Sequence, residues 1–183
     1  YYTRSTNGGA SFEPPRRLHS LPAVDQSAFV DGGFSSAHAF ATLGVAPNGT
    51  LHAVWIDTRS MQQDEPAAAA YAAISTDDGA NWSAEQVALA ADVCPCCQIT
   101  LAFDERSNVY LGSRQITARG TRNSTVARAA AGSAAHSKPV PTGGKEWRLD
   151  GCPLKPTVVA VQGKRVYTAA FNGAETPAGV YFS

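Results

Sequence analysis

The stretch from Ser75 to Trp82 constrains the fold more than any other part of the sequence. Its Asp78-Gly79 pair supplies positive φ at low cost, and the Asp77 carboxylate can accept backbone N–H groups inside the turn. Trp82 can fold back over the turn as an apolar plug. Strand-like runs precede and follow this stretch, which therefore predicts a hairpin turn that can recur at strand ends.

The same turn occurs earlier in the chain. Two copies share the skeleton Ser-x-Asp/Asn-x-Gly-x-x-aromatic, whose members are Ser5, Asn7, Gly9 and Phe12 in one copy and Ser75, Asp77, Gly79 and Trp82 in the other. An eroded third copy is predicted at 140–147, where Gly144 and Trp147 keep the Gly-x-x-aromatic half. Two copies and a remnant indicate an internal repeat.

The skeleton Ser-x-Asp-x-Gly-x-x-Trp resembles the Asp-box, or BNR repeat, of the sialidase superfamily, in which each copy closes the outer hairpin of a propeller blade. Residues 47–59 are similar to the second-strand segment of bacterial BNR-repeat proteins. Cys-Pro-Cys-Cys-Gln at 94–98 and Asp-Gly-Cys-Pro at 150–153 resemble a cysteine-bearing, sialidase-like subgroup. The resemblance covers nearly the whole chain and implies an all-β fold, a sialidase-like β-propeller of about six blades when complete.

Composition agrees with an all-β chain, since there are 16 Gly, 11 Pro and few stretches of helical period. The strand-like runs predict the end of one blade at 1–21, a complete blade at 38–91, a complete blade with the eroded turn at 98–149, and the start of another at 157–183. The chain thus supplies about three four-stranded blades, whereas closed propellers have about four to eight.

An open set of about three blades would leave unpaired strand edges. We expect closure by additional propeller blades, supplied by the same protein, by another chain or by a homodimer. The chain starts inside a strand-like run without a Met-led basic and apolar leader, so we expect it to be processed or a fragment.

Charge and hydropathy exclude some partners. The 15 Lys and Arg balance the 15 Asp and Glu, so there is no electrostatic case for nucleic acid. No apolar run is long enough to span a bilayer, and no transmembrane segment is expected. An extracytoplasmic location, periplasmic or secreted, is expected because disulfides persist there, and the Ala/Arg-rich style is typical of a bacterial source.

The resemblance implies that loops joining an outer strand to the next inner strand gather on one face near the propeller axis. The chemistry-bearing residues of these loops are Asp31, His38, Cys94, Cys96, Cys97 and Cys152. Structural disulfides are the first interpretation, and four cysteines allow three connectivities. A bond between the neighbours Cys96 and Cys97 is strained, so Cys152 is expected to pair with one of the other three. A small Cys94–Cys97 loop would leave Cys96 for Cys152.

A metal site is the alternative interpretation of the same loops. Cys94-x-x-Cys97 has ligand spacing, Cys152 could add a third thiolate and His38 an imidazole, which suits Zn or Cu(I). If the cysteines form disulfides and do not bind a metal, no cofactor is expected.

Three residues are candidates for sialidase chemistry. The resemblance implies arginines that bind a substrate carboxylate, a Tyr nucleophile activated by Glu, and an Asp acid/base. Asp31 lies in a loop suited to the acid/base, and Arg59 and Arg114 lie at the ends of second strands. The Arg-Ile-Pro phrase of the first sialidase arginine is absent, and no Tyr/Glu pair can be placed.

The expected function is therefore an extracytoplasmic binding or scaffold module with a carbohydrate or protein ligand, within a larger protein or complex. One alternative is a sialidase-like glycoside hydrolase, of exo-alpha-sialidase type, whose catalytic residues lie partly outside this chain. The second alternative is a metal-binding propeller that uses the cysteine loops.

Overall fold

The structure is a computed structural model that describes residues 1–20, 38–59, 67–117, 119–151 and 153–183. All regular secondary structure in these residues is β-strand, and every strand pair is antiparallel. The strands are β1 (His38–Val45), β2 (Leu51–Asp57), β3 (Ala68–Ser75), β4 (Gln86–Val93), β5 (Thr100–Phe103), β6 (Val109–Ile116), β7 (Arg122–Ala129), β8 (Val140–Pro141), β9 (Thr157–Gln162), β10 (Arg165–Asn172) and β11 (Gly179–Phe182).

The strands form three successive units. The first unit pairs β1 to β4 in chain order, the second pairs β5 to β8, and the third pairs β9 to β11. A single residue pair, Val93 with Gln115, joins β4 to β6 and merges the first two units into one sheet. No sheet closes on itself within the described residues.

Equivalent threonines on the first strand of each unit link the units. Thr42 donates from Oγ1 to the carbonyl of Ile99 at 2.6 Å. Thr100 donates in the same way to the carbonyl of Thr157 at 2.6 Å. Because both bonds span 57 residues, the structure repeats with the period of one unit.

The core lies between the first two units. Small residues on β3 allow close approach of the sheets, and Leu111 and Ile99 from the second unit fill the space at 0% exposure. The other members of this cluster are Val54, Ile56, Ala68, Ala70, Ala72, Ala88, Leu89, Val93, Ala127 and Ala134. Burial of this apolar surface is the main stabilising term for the pair of units.

The two repeat turns, residues 5–12 and 75–82, share their hydrogen bonds. The Ser75 hydroxyl accepts from the Gly79 N–H at 3.0 Å, and the Asp77 carboxylate accepts from the Asn81 N–H at 2.8 Å. The matching bonds at Ser5 and Asn7 measure 2.9 and 3.0 Å.

The two copies differ in their aromatic plug. Trp82 packs edge-on against Tyr2 with ring centroids 5.1 Å apart, whereas Phe12 is 62% exposed. The Tyr2 hydroxyl also donates to the Gly79 carbonyl at 2.6 Å, which joins the segment before the first turn to the second turn.

The prediction of a third turn at 140–147 is wrong. Val140 and Pro141 form β8, and the Arg122 N–H donates to the Trp147 carbonyl at 2.8 Å. Gly144 and Trp147 therefore belong to an irregular segment beside β7, in which Gly144 has a φ of 84°. A glycine followed by an aromatic residue three positions later is not sufficient to form the turn. This segment lacks the Ser and the Asp or Asn side chains that accept the turn's backbone hydrogen bonds in the other copies.

The observed strands lie within the predicted blade ranges 38–91, 98–149 and 157–183 to within two residues. In the predicted blade end at 1–21, the described residues form an isolated bridge between Tyr2 and Arg16 instead of strands. A second isolated bridge joins Thr121 and Arg148, beyond β8. Across the described residues, the structure holds no helix with the length and apolarity needed to cross a membrane.

Candidate functional site

The loop 94–99 lies beside the end of β6 and the segment that leads into β9. The Cys94 N–H donates to the Arg114 carbonyl at 2.8 Å, and the Arg114 side chain reaches the Lys155 carbonyl at 3.0 Å. The sheet topology thus brings the cysteine loop, β6 and the start of the third unit together at one end of the sheets. This end carries the two candidate sites of the described residues.

The first candidate is a cysteine cluster formed by Cys94, Cys96 and Cys97. All three residues are buried, at 0%, 5% and 1% exposure, and their sulfur atoms lie within 4.8 Å of one another. The Cys94 sulfur lies 3.4 Å from each of the other two. Cys94 and Cys97 are free thiols, whereas Cys96 takes part in a disulfide whose partner lies outside the described residues. The small Cys94–Cys97 disulfide considered from the sequence is therefore not formed.

The two free thiols differ in acidity. The hydrogen bond from Cys94, backbone N–H groups of Leu154 and Lys155, and the Arg114 charge hold the pKa of Cys97 below its usual range. The same thiol–thiol bond and burial raise the pKa of Cys94. Cys97 is therefore the thiol that carries a negative charge first.

Arg114 is buried at 2% exposure, and its side chain connects the second unit with the third. Its guanidinium donates to the carbonyls of Lys155, Arg122 and Phe171 at 3.0, 2.6 and 2.9 Å. Burial lowers its pKa, and the nearby Cys97 and Cys94 oppose that effect. Among its described contacts there is no carboxylate, so these thiols are the groups able to balance its charge.

The second candidate is a crevice of about 200 Å³ between β7 and the third unit, called here the Arg122 crevice. Its lining includes the polar residues Arg114, Arg122, Asn123, Ser124, Lys145, Asn172 and Glu175, together with Tyr181. It therefore combines cationic groups, amides and an aromatic ring in one concave space.

Arg122 is the unusual residue of this crevice. It is only 9% exposed, and its Nε and Nη1 atoms have no hydrogen-bond partner in the described residues. Lys145, in contrast, is already engaged by Glu175, whose carboxylate accepts from the Lys145 N–H at 2.7 Å and lies 3.5 Å from Nζ. Burying a cation whose polar atoms lack hydrogen-bond partners costs free energy, and an anion that enters the crevice would reduce this cost.

Arg59 is occupied by neighbouring carboxylates. It donates to both oxygens of Asp57, at 2.9 and 2.6 Å, and to Glu85 at 2.8 Å, while its guanidinium lies 4.1 Å from the Tyr71 ring centroid. The hydrogen bond to Asp57, followed by that to Glu85, raises its pKa against the effect of burial. It is a structural residue here.

The structure brings some predicted site residues together and leaves others undescribed. Cys94, Cys96, Cys97 and Arg114 lie in one neighbourhood, as described above, and Arg59 lies in a separate ion-pair cluster. Asp31 and Cys152 lie outside the described residues, as does the side chain of His38. Nothing here tests their predicted roles.

Sequence reasoning missed Arg122. In the sequence it follows Gly120-Thr121 and looks like any loop arginine, much as Arg119 does. Arg119 is exposed, whereas Arg122 is enclosed by the crevice. Only the packing of β7 against the third unit separates the two, so no local signal could have identified the buried one.

Comparison with known proteins supports the fold. No protein-family model and no curated protein matches the chain by sequence. Among solved structures, the chain is similar to the Hadza microbial sialidase Hz136, with TM-score 0.57 and 15% identity over 99% of this chain and 37% of that one. It is also similar to a polysaccharide lyase of family PL25, an ulvan lyase bound to -[GlcA(1-4)Rha3S]-, with TM-score 0.50 and 15% identity over 94% of this chain and 43% of that one.

This chain thus spans less than half of either protein. At 15% identity these similarities concern the fold, and they show an all-β, sialidase-like architecture.

Proposed function

We propose that this chain is part of an extracytoplasmic, sialidase-like β-propeller in which the Arg122 crevice binds an acidic saccharide. The observation that carries the proposal is the buried Arg122 guanidinium, whose Nε and Nη1 atoms have no hydrogen-bond partner in the described residues, in the lining of a concave, polar space. An arginine fork is suited to the paired oxygens of a carboxylate or a sulfate. Amides and hydroxyls around it, together with Tyr181, are the groups that hold sugar hydroxyls and ring faces.

The fold relatives support a carbohydrate ligand. One is a sialidase and the other is a lyase bound to a saccharide that contains GlcA, so both are carbohydrate-active proteins. The crevice lies between successive units, which is a common place for a ligand site. A carboxylate-bearing sugar in the crevice would have Arg122 and Tyr181 among its neighbours.

Exposed apolar side chains support a larger assembly. Leu43 and Val45 on β1 are 59% and 61% exposed, and Val180 and Phe182 on β11 are 72% and 74% exposed. These strands lie in the first and last units, where further blades would pack. The proposal therefore includes additional blades from the same protein, another chain or a second copy.

The test is a calorimetric titration of the full-length protein with two matched oligosaccharides. One ends in glucuronate, and in the other the carboxylate is reduced to an alcohol. We expect the acidic sugar to bind at least about tenfold more tightly, since a charge-assisted hydrogen bond contributes about 1.5–3 kcal/mol. Equal affinity for the two sugars would reject the proposal.

Arg122→Met and Arg119→Met form the matched pair of variants. Arg122→Met should abolish the preference for the acidic sugar without loss of thermal stability, because it removes an unpaired buried charge. Arg119→Met removes an exposed arginine nearby and should leave binding unchanged. Unaltered binding by Arg122→Met would show that the crevice is not the site.

A glycoside hydrolase is the second candidate function, and the sialidase-like fold favours it. Full-length protein that releases the aryl group from an aryl sialoside would establish turnover, with the remaining catalytic residues outside this chain. Binding of the acidic sugar without turnover would support the binding module.

A further inference from the structure

A buried positive charge lies beside the cysteine cluster. Arg114 carries a permanent positive charge at 2% exposure, and its hydrogen-bond acceptors are three neutral carbonyls. Its guanidinium also interacts with the Cys97 sulfur. Buried charges in proteins are paired or coordinate metals. The nearest groups that can supply negative charge are the sulfurs of Cys97 and Cys94.

The geometry of the two thiols suits a shared ligand. Cys94 and Cys97 belong to one tight turn, closed by the Cys97 N–H and the Cys94 carbonyl at 3.4 Å, and their sulfurs are also 3.4 Å apart. Both sulfurs face the interior at 0% and 1% exposure. An ion bridging them would be shielded from water and from other thiols.

We propose that Cys94 and Cys97 bind one Cu(I) ion as a pair of thiolates. Each thiol loses its proton, and two sulfur–copper bonds form, so that two protons leave and the complex carries one net negative charge. That charge balances the single positive charge of Arg114. A Cys94–Cys97 disulfide would leave Arg114 without any counterion.

The ligand set favours copper over zinc. Structural zinc sites take four protein ligands and catalytic ones three. Within the described ranges, the ligand group contains Cys94, Cys96 and Cys97 and no His, Asp or Glu. Because Cys96 is held in a disulfide, two thiolates remain. Soft thiolates select Cu(I), and this ion accepts low coordination numbers.

Leu154 connects the cluster with the surface of the protein. It donates its backbone N–H to Cys97, while its own side chain is 64% exposed. A copper donor that docks at Leu154 would therefore lie close to the Cys97 sulfur.

The first experiment loads the full-length protein with Cu(I) in ascorbate buffer against a competing copper chelator. Ascorbate keeps copper reduced without reducing protein disulfides. We expect one copper per chain by native mass spectrometry, with no uptake of zinc under matched conditions. Failure to retain copper against the chelator, preferential loading of zinc, or a Cys94–Cys97 disulfide found by peptide mapping would each overturn the proposal.

Variants identify the ligands. Cys94→Ser and Cys97→Ser should each weaken Cu(I) binding by more than about 100-fold, the upper range for loss of an outer-shell partner. Cys96→Ser should retain one copper, because that sulfur is not a ligand in this proposal. Loss of copper from Cys96→Ser with an unchanged circular dichroism spectrum would refute the two-thiolate site.

The copper and saccharide proposals use different ligand groups, although Arg114 lies beside both sites. Arg122→Met should keep its copper while losing the acidic sugar, so failure of one proposal does not imply failure of the other.

Discussion

Arg114 donates a hydrogen bond from Nη1 to the carbonyl oxygen of Arg122 over 2.6 Å. The buried arginine thereby fixes the backbone of the arginine that lines the crevice. It also reaches the carbonyls of Lys155 and Phe171, so one side chain joins the second and third units. The crevice and the cysteine cluster share this support.

Replacement of Arg114 by lysine should destabilise the fold. Lysine keeps the charge but cannot reach three separated carbonyls, and each hydrogen bond to a charged group contributes about 1.5–3 kcal/mol. We expect Arg114→Lys to lower the free energy of unfolding by about 3 kcal/mol, measured by urea denaturation. Arg119→Lys, on an exposed side chain, is the control, and equal stabilities of the two variants would contradict the assigned role.

The two repeat turns should differ in their sensitivity to mutation. The Ser75 hydroxyl satisfies a buried Gly79 N–H, whereas the equivalent bond from Gly9 to Ser5 is exposed. Ser75→Ala should therefore cost about 1–3 kcal/mol of unfolding free energy, and Ser5→Ala less than about 1 kcal/mol, because water replaces its bond. Thermal and urea unfolding of both variants measure the difference. A larger effect at Ser5 would show that the first turn matters more for stability.

Gly112 on β6 is required by close packing against β9. A Cβ atom there would lie 2.2 Å from the Thr157 carbonyl oxygen and 2.5 Å from Thr100 Oγ1. We expect Gly112→Ala to destabilise the protein by about 1–3 kcal/mol, because the backbone of β9 must move.

Gly179→Ala is the matched control, since no heavy atom lies within 4 Å of its Cβ position. Differential scanning calorimetry on the two variants gives the comparison. If Gly112→Ala unfolded at the same temperature as Gly179→Ala, the contact between the second and third units would be looser than described.

Acid should destabilise the protein through two histidines. Burial lowers the pKa of His52, and it lowers that of His136 from 6.5 to about 4. The unfolded chain then binds protons that the folded chain does not, so stability is complete above about pH 6.5 and falls as the pH drops towards 4. Urea denaturation at intervals between pH 7 and pH 4 should show this decline.

His136→Gln isolates one histidine from the carboxylates that titrate at lower pH. This variant should show a shallower decline than the unmodified protein, because one of the two depressed groups is gone. A slope identical to that of the unmodified protein would exclude His136 as a cause.

Strand positions and the two repeat turns could be predicted because their signals are local. Ser75, Asp77 and Gly79 supply the hydroxyl, the carboxylate and the positive φ that the turn needs within five residues. The same reasoning was wrong at Gly144 and Trp147, where the partial pattern lies in an irregular segment beside β7 and not in a repeat turn. A glycine and an aromatic side chain are not specific without the acceptors between them.

The sequence identified the cysteine loop as a candidate site, but it did not determine which of its cysteines are free thiols and which form disulfides. Spacing allowed a Cys94–Cys97 disulfide, a metal site or other pairings, and all are sterically open to a loop of this length. Cys94 and Cys97 are free thiols, and the pKa of Cys97 is lowered by the hydrogen bond from Cys94, by the backbone N–H groups of Lys155 and Leu154 and by the Arg114 charge. Lys155, Leu154 and Arg114 come from other parts of the chain.

Turn chemistry and strand alternation act over a few residues, so the amino-acid sequence alone was enough to predict an all-β chain with a repeated turn. It also gave the net charge of zero and identified the cysteine loop as a candidate site. The roles of the arginines depend on groups far apart in sequence. Arg59 meets Glu85, Arg114 meets Phe171, and Arg122 meets no acceptor for its Nε and Nη1 atoms in the described residues. Identical side chains thus become an ion-pair partner, a structural bridge and an unsatisfied buried cation, because burial and pairing are properties of the packed units.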